Sequence, residues 1–195
     1  YSVKNLSKTP VFAKVVARGV PAAGQESAVS NGLSISVGYF DMDENPIDPN
    51  ALPLGQDLVI EAVVRNRTTL KLRNLALTQV LPAGWEIANY RVGEELPRPR
   101  EEGEEEERRK EAPPLYEYQD IRDDRVLTYF TLEGRESKTF RIYANKTYDG
   151  SFYLPSSSVE SMYDARYQAV EPGRWLSEPP RSGIDAKRRE RNMRP

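Results

Sequence analysis

Apolar residues recur at every second position along most of the chain. In Asp57-Leu-Val-Ile-Glu-Ala-Val-Val-Arg65, Leu58, Ile60, Ala62 and Val64 fall on one face, with Glu61 and Arg65 on the other. That is the pattern of a half-buried strand. Similar runs cover Val11 to Arg18, Leu33 to Phe40, Leu75 to Leu81, Val126 to Leu132, Thr139 to Ala144, Ser151 to Leu154 and Ser158 to Tyr163. Turn signals separate them: Asp43-Glu-Asn-Pro46, Pro53-Leu-Gly55, Pro82-Ala-Gly84, Glu133-Gly134 and Asp149-Gly150. Short strands at this spacing, punctuated by 15 prolines and 12 glycines and without a sustained helical period, predict an all-β fold, an antiparallel β-sandwich.

Two segments break the pattern. Arg98 to Pro114 (RPREEGEEEERRKEAPP) holds seven glutamates, five basic residues and three prolines. It has no apolar side chain with which to offset its ordering entropy, which predicts a disordered loop at 98–114 between strands. The segment 177–195 carries six Lys/Arg against three Asp/Glu and predicts a basic disordered tail. A polybasic stretch of this size attracts phosphate or an anionic bilayer only weakly, at about 1 kcal/mol per charge close to such a surface. Over the whole chain of 195 residues the net charge is -2, so no general attraction to nucleic acid or lipid is expected. This length allows one complete core with additions.

Composition narrows the chemistry further. There is no cysteine and no histidine. Disulfides, thiolate catalysis, thioesters within this chain and Ser-His hydrolysis are therefore excluded, and the commonest transition-metal ligands are missing. No window approaches 18 consecutive apolar residues, and the chain opens on Tyr1-Ser-Val-Lys. It is read as a soluble piece of a longer polypeptide.

The densest chemistry lies in Tyr116 to Phe130 (YEYQDIRDDRVLTYF), where Asp120, Asp123 and Asp124 alternate with Arg122 and Arg125. Three carboxylates could share a calcium ion, but the spacing and the glycine of an EF-hand loop are absent and two guanidinium groups compete for the same oxygens. A hydrolase acting through Asp120, Asp123 or Glu160 is a distant third reading, since paired carboxylates need a cleft that the sequence does not reveal. The better reading is a turn whose carboxylates cap backbone amides and pair with arginine. In Leu81-Pro-Ala-Gly-Trp-Glu-Ile87, Trp85 follows a tight turn and is expected to seal one end of the core. The tyrosines, with no basic residues interleaved on their faces, are expected to pack across strands and not to stack nucleobases.

Five stretches in order, Leu81-Pro-Ala-Gly-Trp-Glu-Ile87, Tyr118-Gln-Asp-Ile-Arg-Asp-Asp-Arg-Val126, Phe152-Tyr-Leu-Pro155, Val159-Glu-Ser-Met-Tyr-Asp164 and Pro172-Gly-Arg-Trp175, resemble the C-terminal end of bacterial alpha-2-macroglobulins. The resemblance implies an immunoglobulin-like, macroglobulin-type β-sandwich over 27–176. It also implies that 1–26, with Asn5-Leu-Ser-Lys-Thr-Pro10 and Arg18-Gly-Val-Pro21, is the closing strand of a preceding CUB-type domain. The expected role is a non-catalytic module of a periplasmic protease trap, without a cofactor. Its partners would be the other domains of the parent chain and, through them, target proteases. Nucleic acid is not expected, and membrane contact only through a lipid anchor of the parent. Asp120, Arg122, Asp123, Asp124, Arg125, Trp85 and Trp175 are then structural or interdomain contacts. An immunoglobulin-like repeat of a bacterial surface adhesin is the alternative.

Overall fold

The computed structural model describes residues 4–12, 14, 19, 21–88 and 115–176, and every regular element among them is a strand. In chain order these are β1 (Val29–Asn31), β2 (Leu33–Phe40), β3 (Asp57–Asn66), β4 (Leu72–Val80), β5 (Trp85–Ile87), β6 (Tyr118–Ile121), β7 (Arg125–Leu132), β8 (Ser137–Lys146), β9 (Phe152–Leu154), β10 (Ser157–Ser161), β11 (Gln168–Glu171) and β12 (Arg174–Leu176). One sheet has the order β1-β11-β10-β4-β7-β6, the other β2-β3-β8-β5, and β12 and β9 form a small ribbon. All the strand pairs are antiparallel. The fold is the antiparallel β-sandwich that the alternation predicted, of the immunoglobulin-like type that the resemblance implied.

The period-two pattern works as the physics requires. In β7, Val126, Thr128, Phe130 and Leu132 are buried while the residues between them are not. In β8 the buried set is Phe140, Ile142, Ala144 and Lys146. Phe130 and Phe140 meet across the sandwich with ring centroids 4.6 Å apart. Such a pair adds about 0.5–1.5 kcal/mol to the burial of the rings. In β4 the buried leucines Leu72 and Leu75 are three positions apart, and the ladder to β7 slips between them. A bulge absorbs the extra residue, with Asn74 in the left-handed region at φ 54. The core has two lobes, one around Leu33, Val64, Leu75 and Phe130, the other around Leu58, Leu81, Trp85 and Ile142. Val37 packs against both.

The chain changes sheet between β1 and β2 at Gly32, where φ is +67 and a Cβ would lie 2.5 Å from the Tyr167 ring. It changes again after β3 and after β7, and these two crossings share one clamp. The fully buried Asn66 donates from Nδ2 to Leu70 O at 2.6 Å and to Glu133 O at 2.9 Å. Its Oδ1 accepts the Thr68 amide at 2.9 Å and the Thr68 hydroxyl at 2.8 Å. Gly134 closes against the same turn so tightly that a Cβ would sit 2.3 Å from Thr69 O. At the far end of the sandwich the buried Lys146 donates from Nζ to Leu52 O at 2.8 Å and pairs with Asp149 at 3.0 Å.

Several expectations need adjustment. The strand expected to run to Tyr163 stops at Ser161, and Tyr163 is 81% exposed in the following turn. The strand expected from Ser151 begins at Phe152. β1, β5, β6, β11 and β12 were not foreseen as strands. Of the segment Val11 to Arg18, Val11, Phe12 and Lys14 are described and belong to no strand; the rest lies outside the described residues. So do the loop 98–114 and the tail 177–195.

Two buried amides predict opposite responses. Asn66→Ala removes four hydrogen bonds made by a fully buried amide, leaving two part-buried carbonyl groups without it, and should cost about 1–3 kcal/mol in urea unfolding with the slope unchanged. Gln79 is 2% exposed, and neither of its amide atoms has a partner among the described residues. Gln79→Met, similar in volume, should therefore leave the midpoint unchanged or raise it. A large loss in Gln79→Met would show that its amide is bonded after all.

Candidate functional site

β6 and β7 form a hairpin whose ladder runs from Tyr118↔Tyr129 to Ile121↔Val126. The Arg122 amide closes it by donating to Arg125 O at 2.9 Å, leaving Asp123 and Asp124 as the tip. The tip is fastened to the body by the Leu81 amide, which donates to Asp124 O at 2.8 Å. Each arginine then takes the nearest carboxylate. Arg122 Nε donates to Asp120 Oδ2 at 2.9 Å, and Arg125 makes a two-point contact with Asp124 at 2.9 and 2.6 Å. The Arg125 guanidinium holds the Asp124 carboxyl below its usual range, chiefly by that hydrogen bonding, and the same contact raises Arg125. Asp123 enters no ion pair among the described residues.

The expected capping of backbone amides is absent from this turn. It occurs instead at Asp41, which accepts the amides of Asp43 and Asn45 at 2.9 and 2.8 Å, and at Asp48 and Asp164, which accept those of Asn50 and Arg166 at 3.0 and 3.1 Å. The signal that finds these is an aspartate two residues before a residue whose amide turns back. At 120–124 the chain is already committed to a hairpin, so the amide of Arg122 points across to β7 and not to a side chain. Three described carboxylates or other metal-ligating residues do not gather anywhere among the described residues.

Glu160 lies on β10, separated from Asp120 on β6 by β4 and β7. Three strand spacings are roughly 14 Å. A glycosidase pair needs carboxyl groups no more than about 5–9.5 Å apart, so these two cannot act on one bond. Two concavities among the described residues are small as well. A notch of about 90 Å³ lies beside Val37, Tyr39, Leu154 and Arg174, and another of about 210 Å³ beside Ile47, Leu52 and Gln56. Ordinary ligand pockets begin near roughly 300 Å³. Within the first notch, burial pushes the Tyr39 hydroxyl up to about 12, and Arg174 stacks over its ring at 5.6 Å.

The two tryptophans have different surroundings. Trp85 is 4% exposed and meets Tyr39 edge-on at 6.2 Å, closing the second core lobe. Trp175 is 57% exposed, with one side against Tyr153 at 5.5 Å and another against Gly24. The tyrosines Tyr118 and Tyr129 stack across the hairpin at 5.9 Å.

The hairpin predicts a specific acid response. Asp124 sits below its usual pKa, so its contribution is complete above the unfolded value of about 4 and is lost as pH falls through the lower folded value. Asp124→Asn should lower the melting midpoint at neutral pH, modestly because the pair is exposed, and the gap to wild type should close in strong acid. Millimolar calcium should shift neither protein. A calcium-dependent rise that disappears in Asp123→Asn would replace the ion-pair account with a metal site.

With the geometry in place, the comparisons with known proteins are informative. Residues 32–165 match the family described as the bacterial alpha-2-macroglobulin MG10 domain. An alpha-2-macroglobulin homolog of Yersinia pestis is 29% identical over 179 residues, covering 87% of this chain and 9% of the relative. The alpha-2-macroglobulin of Xylella fastidiosa strain Temecula1 is 28% identical over 156 residues, 79% of this chain and 9% of its own. The chain thus spans about a tenth of the length of the relatives it matches. Among solved structures, the native conformation of E. coli alpha-2-macroglobulin overlays with a TM-score of 0.68 at 20% identity, covering 83% of this chain and 10% of that one. Salmonella alpha-2-macroglobulin reacted with methylamine overlays with 0.64 at 22%, again over 83% and 10%. These two likenesses speak for the fold, and the match over 32–165 speaks for descent. The chain belongs to the bacterial alpha-2-macroglobulin MG10 domain family.

Proposed function

We propose that the chain is a non-catalytic C-terminal module of a bacterial alpha-2-macroglobulin-like protease trap, and that it works by packing against other domains of the parent protein. The observation that carries this reading is the continuous family match across both sheets, from Gly32 to Ala165. The site chemistry agrees with it, since Arg122 and Arg125 are each paired within the charged hairpin and the two notches described are smaller than an ordinary substrate pocket.

In this reading target proteases are met only through the full-length protein, the compartment is the periplasm, and any membrane contact comes from a lipid anchor of the parent. Nucleic acid has no part in it. The segment 1–26 is the closing strand of a preceding CUB-type domain. Support for that comes from Leu6, Val11 and Phe12, which are 87%, 62% and 99% exposed on this sandwich. Apolar side chains so fully uncovered in one short segment suit a strand whose sheet is supplied by another domain.

The test compares the isolated chain with the parent protein. The chain alone should neither cleave a protein substrate nor protect one from a protease. The parent lacking 27–176 should lose protection while its remaining domains stay folded by circular dichroism. Stoichiometric protection by the chain alone, or full protection by the shortened parent, would overturn the proposal.

A further inference from the structure

The sandwich is approached through Ala22 to Ser27 and ends in β12, and these two segments are fastened to each other by side chains far apart in sequence. The Gln25 amide donates to Ala22 O at 2.9 Å, closing a turn with Gly24 at φ 83, the conformation a type II turn demands of its third residue. The Gly24 amide donates to Glu26 Oε2 at 2.8 Å, which aims the other carboxylate oxygen at the Tyr153 hydroxyl, its hydrogen-bond donor. Tyr153 on β9 stands opposite Trp175 on β12 in the ladder, and the rings touch at 5.5 Å. Gly24 also lies beside the indole: a Cβ there would lie 3.4 Å from Trp175 Cδ1 and 3.7 Å from Nε1.

The ribbon that carries this contact is anchored below, because Leu154 and Leu176 are both 5% exposed in the second core lobe. The approach of Tyr153 is cleared by Gly173, where a Cβ would fall 2.2 Å from the hydroxyl oxygen and 2.7 Å from Leu154 O. The electrostatics follow the geometry. The Tyr153 hydrogen bond, first among its causes, holds Glu26 below the ordinary carboxylate range, and burial followed by the same bond raises Tyr153.

We propose that Glu26, Tyr153 and Trp175, with Gly24 and Gly173 as the clearances they require, form a clasp that locks the segment leading into the sandwich onto its last strand. The direction in which the preceding polypeptide meets this domain is then set by β12, and a displacement of either segment is passed to the other. Tyr153 and Trp175 are positioning residues for that segment. The clasp does not depend on the protease-trap reading, and its test needs no protease.

The test is amide hydrogen exchange on the full chain. Tyr153→Phe removes only the hydroxyl, and Glu26→Ala removes a half-buried carboxylate that accepts from both Tyr153 and the Gly24 amide, outside both core lobes, so at least the second variant should fold. Loss of a charge-assisted hydrogen bond should raise exchange at Gly24 to Ser27 by roughly tenfold. Because coupling is reciprocal, exchange at Arg174 to Leu176 should rise in the same variants, and the Trp175 emission should shift toward that of exposed indole. Glu26→Gln, which keeps an acceptor, should lie between Glu26→Ala and wild type. Unchanged exchange at 24–27, or a rise there with β12 unmoved in Glu26→Ala, would overturn the clasp.

Discussion

The Asn66 carboxamide is the constraint on which the two sheets depend. It ends β3 and reaches two of the turns by which the chain crosses the sandwich, 66–71 toward β4 and 133–136 toward β8. Those turns start two long ladders at adjacent points, Arg65↔Ser137 in one sheet and Leu72↔Leu132 in the other. A slip of one residue in either ladder would turn every leucine and phenylalanine of that strand to solvent. Burial of each such side chain is worth about 1.5–3 kcal/mol, so the slip would cost far more than the turn itself. The amide is therefore a register pin whose effect is multiplied along the strands. Its own four bonds are only the local part of the stabilisation.

That pin gives the domain a polarity. The end bearing Asn66 is closed by backbone and amide bonds and by glycines that admit no side chain, as Gly134 against Thr69 shows. The opposite end holds the second core lobe, the Lys146 ammonium on Leu52 O, the tip of the charged hairpin and the ribbon β9–β12. The approach segment 22–27 is fastened to the ribbon at this end as well. The hairpin fits this division. Its ion pairs are exposed and worth at most about 1 kcal/mol each, and what they fix is the direction of the side chains at the tip.

Much of the architecture was legible in the sequence because β2, β3, β4, β7 and β8 are long enough for alternation to be seen. In β3 the four residues Leu58, Ile60, Ala62 and Val64 show it unaided. β1, β5 and β12 have three residues each, and three residues display no period. Their strand character comes from the neighbour they pair with, which composition cannot name. β6 was hidden for another reason: its Asp120 and its exposed Tyr118 and Ile121 read as a turn, since an edge strand has little to bury. The charge pairs of the hairpin were legible because they are local, one or two residues apart. Asn66 with Glu133, and Glu26 with Tyr153, stand 67 and 127 positions apart, and no local pattern brings them together.

The two tryptophans show how far residue type alone decides a role. Trp85 follows Gly84, where a Cβ would sit 2.4 Å from the Phe152 ring, so the backbone there lies close against the ribbon and the indole has only the core to enter. Trp175 precedes Leu176 on a strand that can turn only one of two neighbours inward. Leu176 takes the inward position at 5% exposure, and the indole is left on the surface at 57%. An indole so exposed would ordinarily mark an open contact surface. Here Tyr153 packs against the ring and Gly24 lies beside its Cδ1 and Nε1, so the indole, the ribbon and the approach segment are neighbours on one surface.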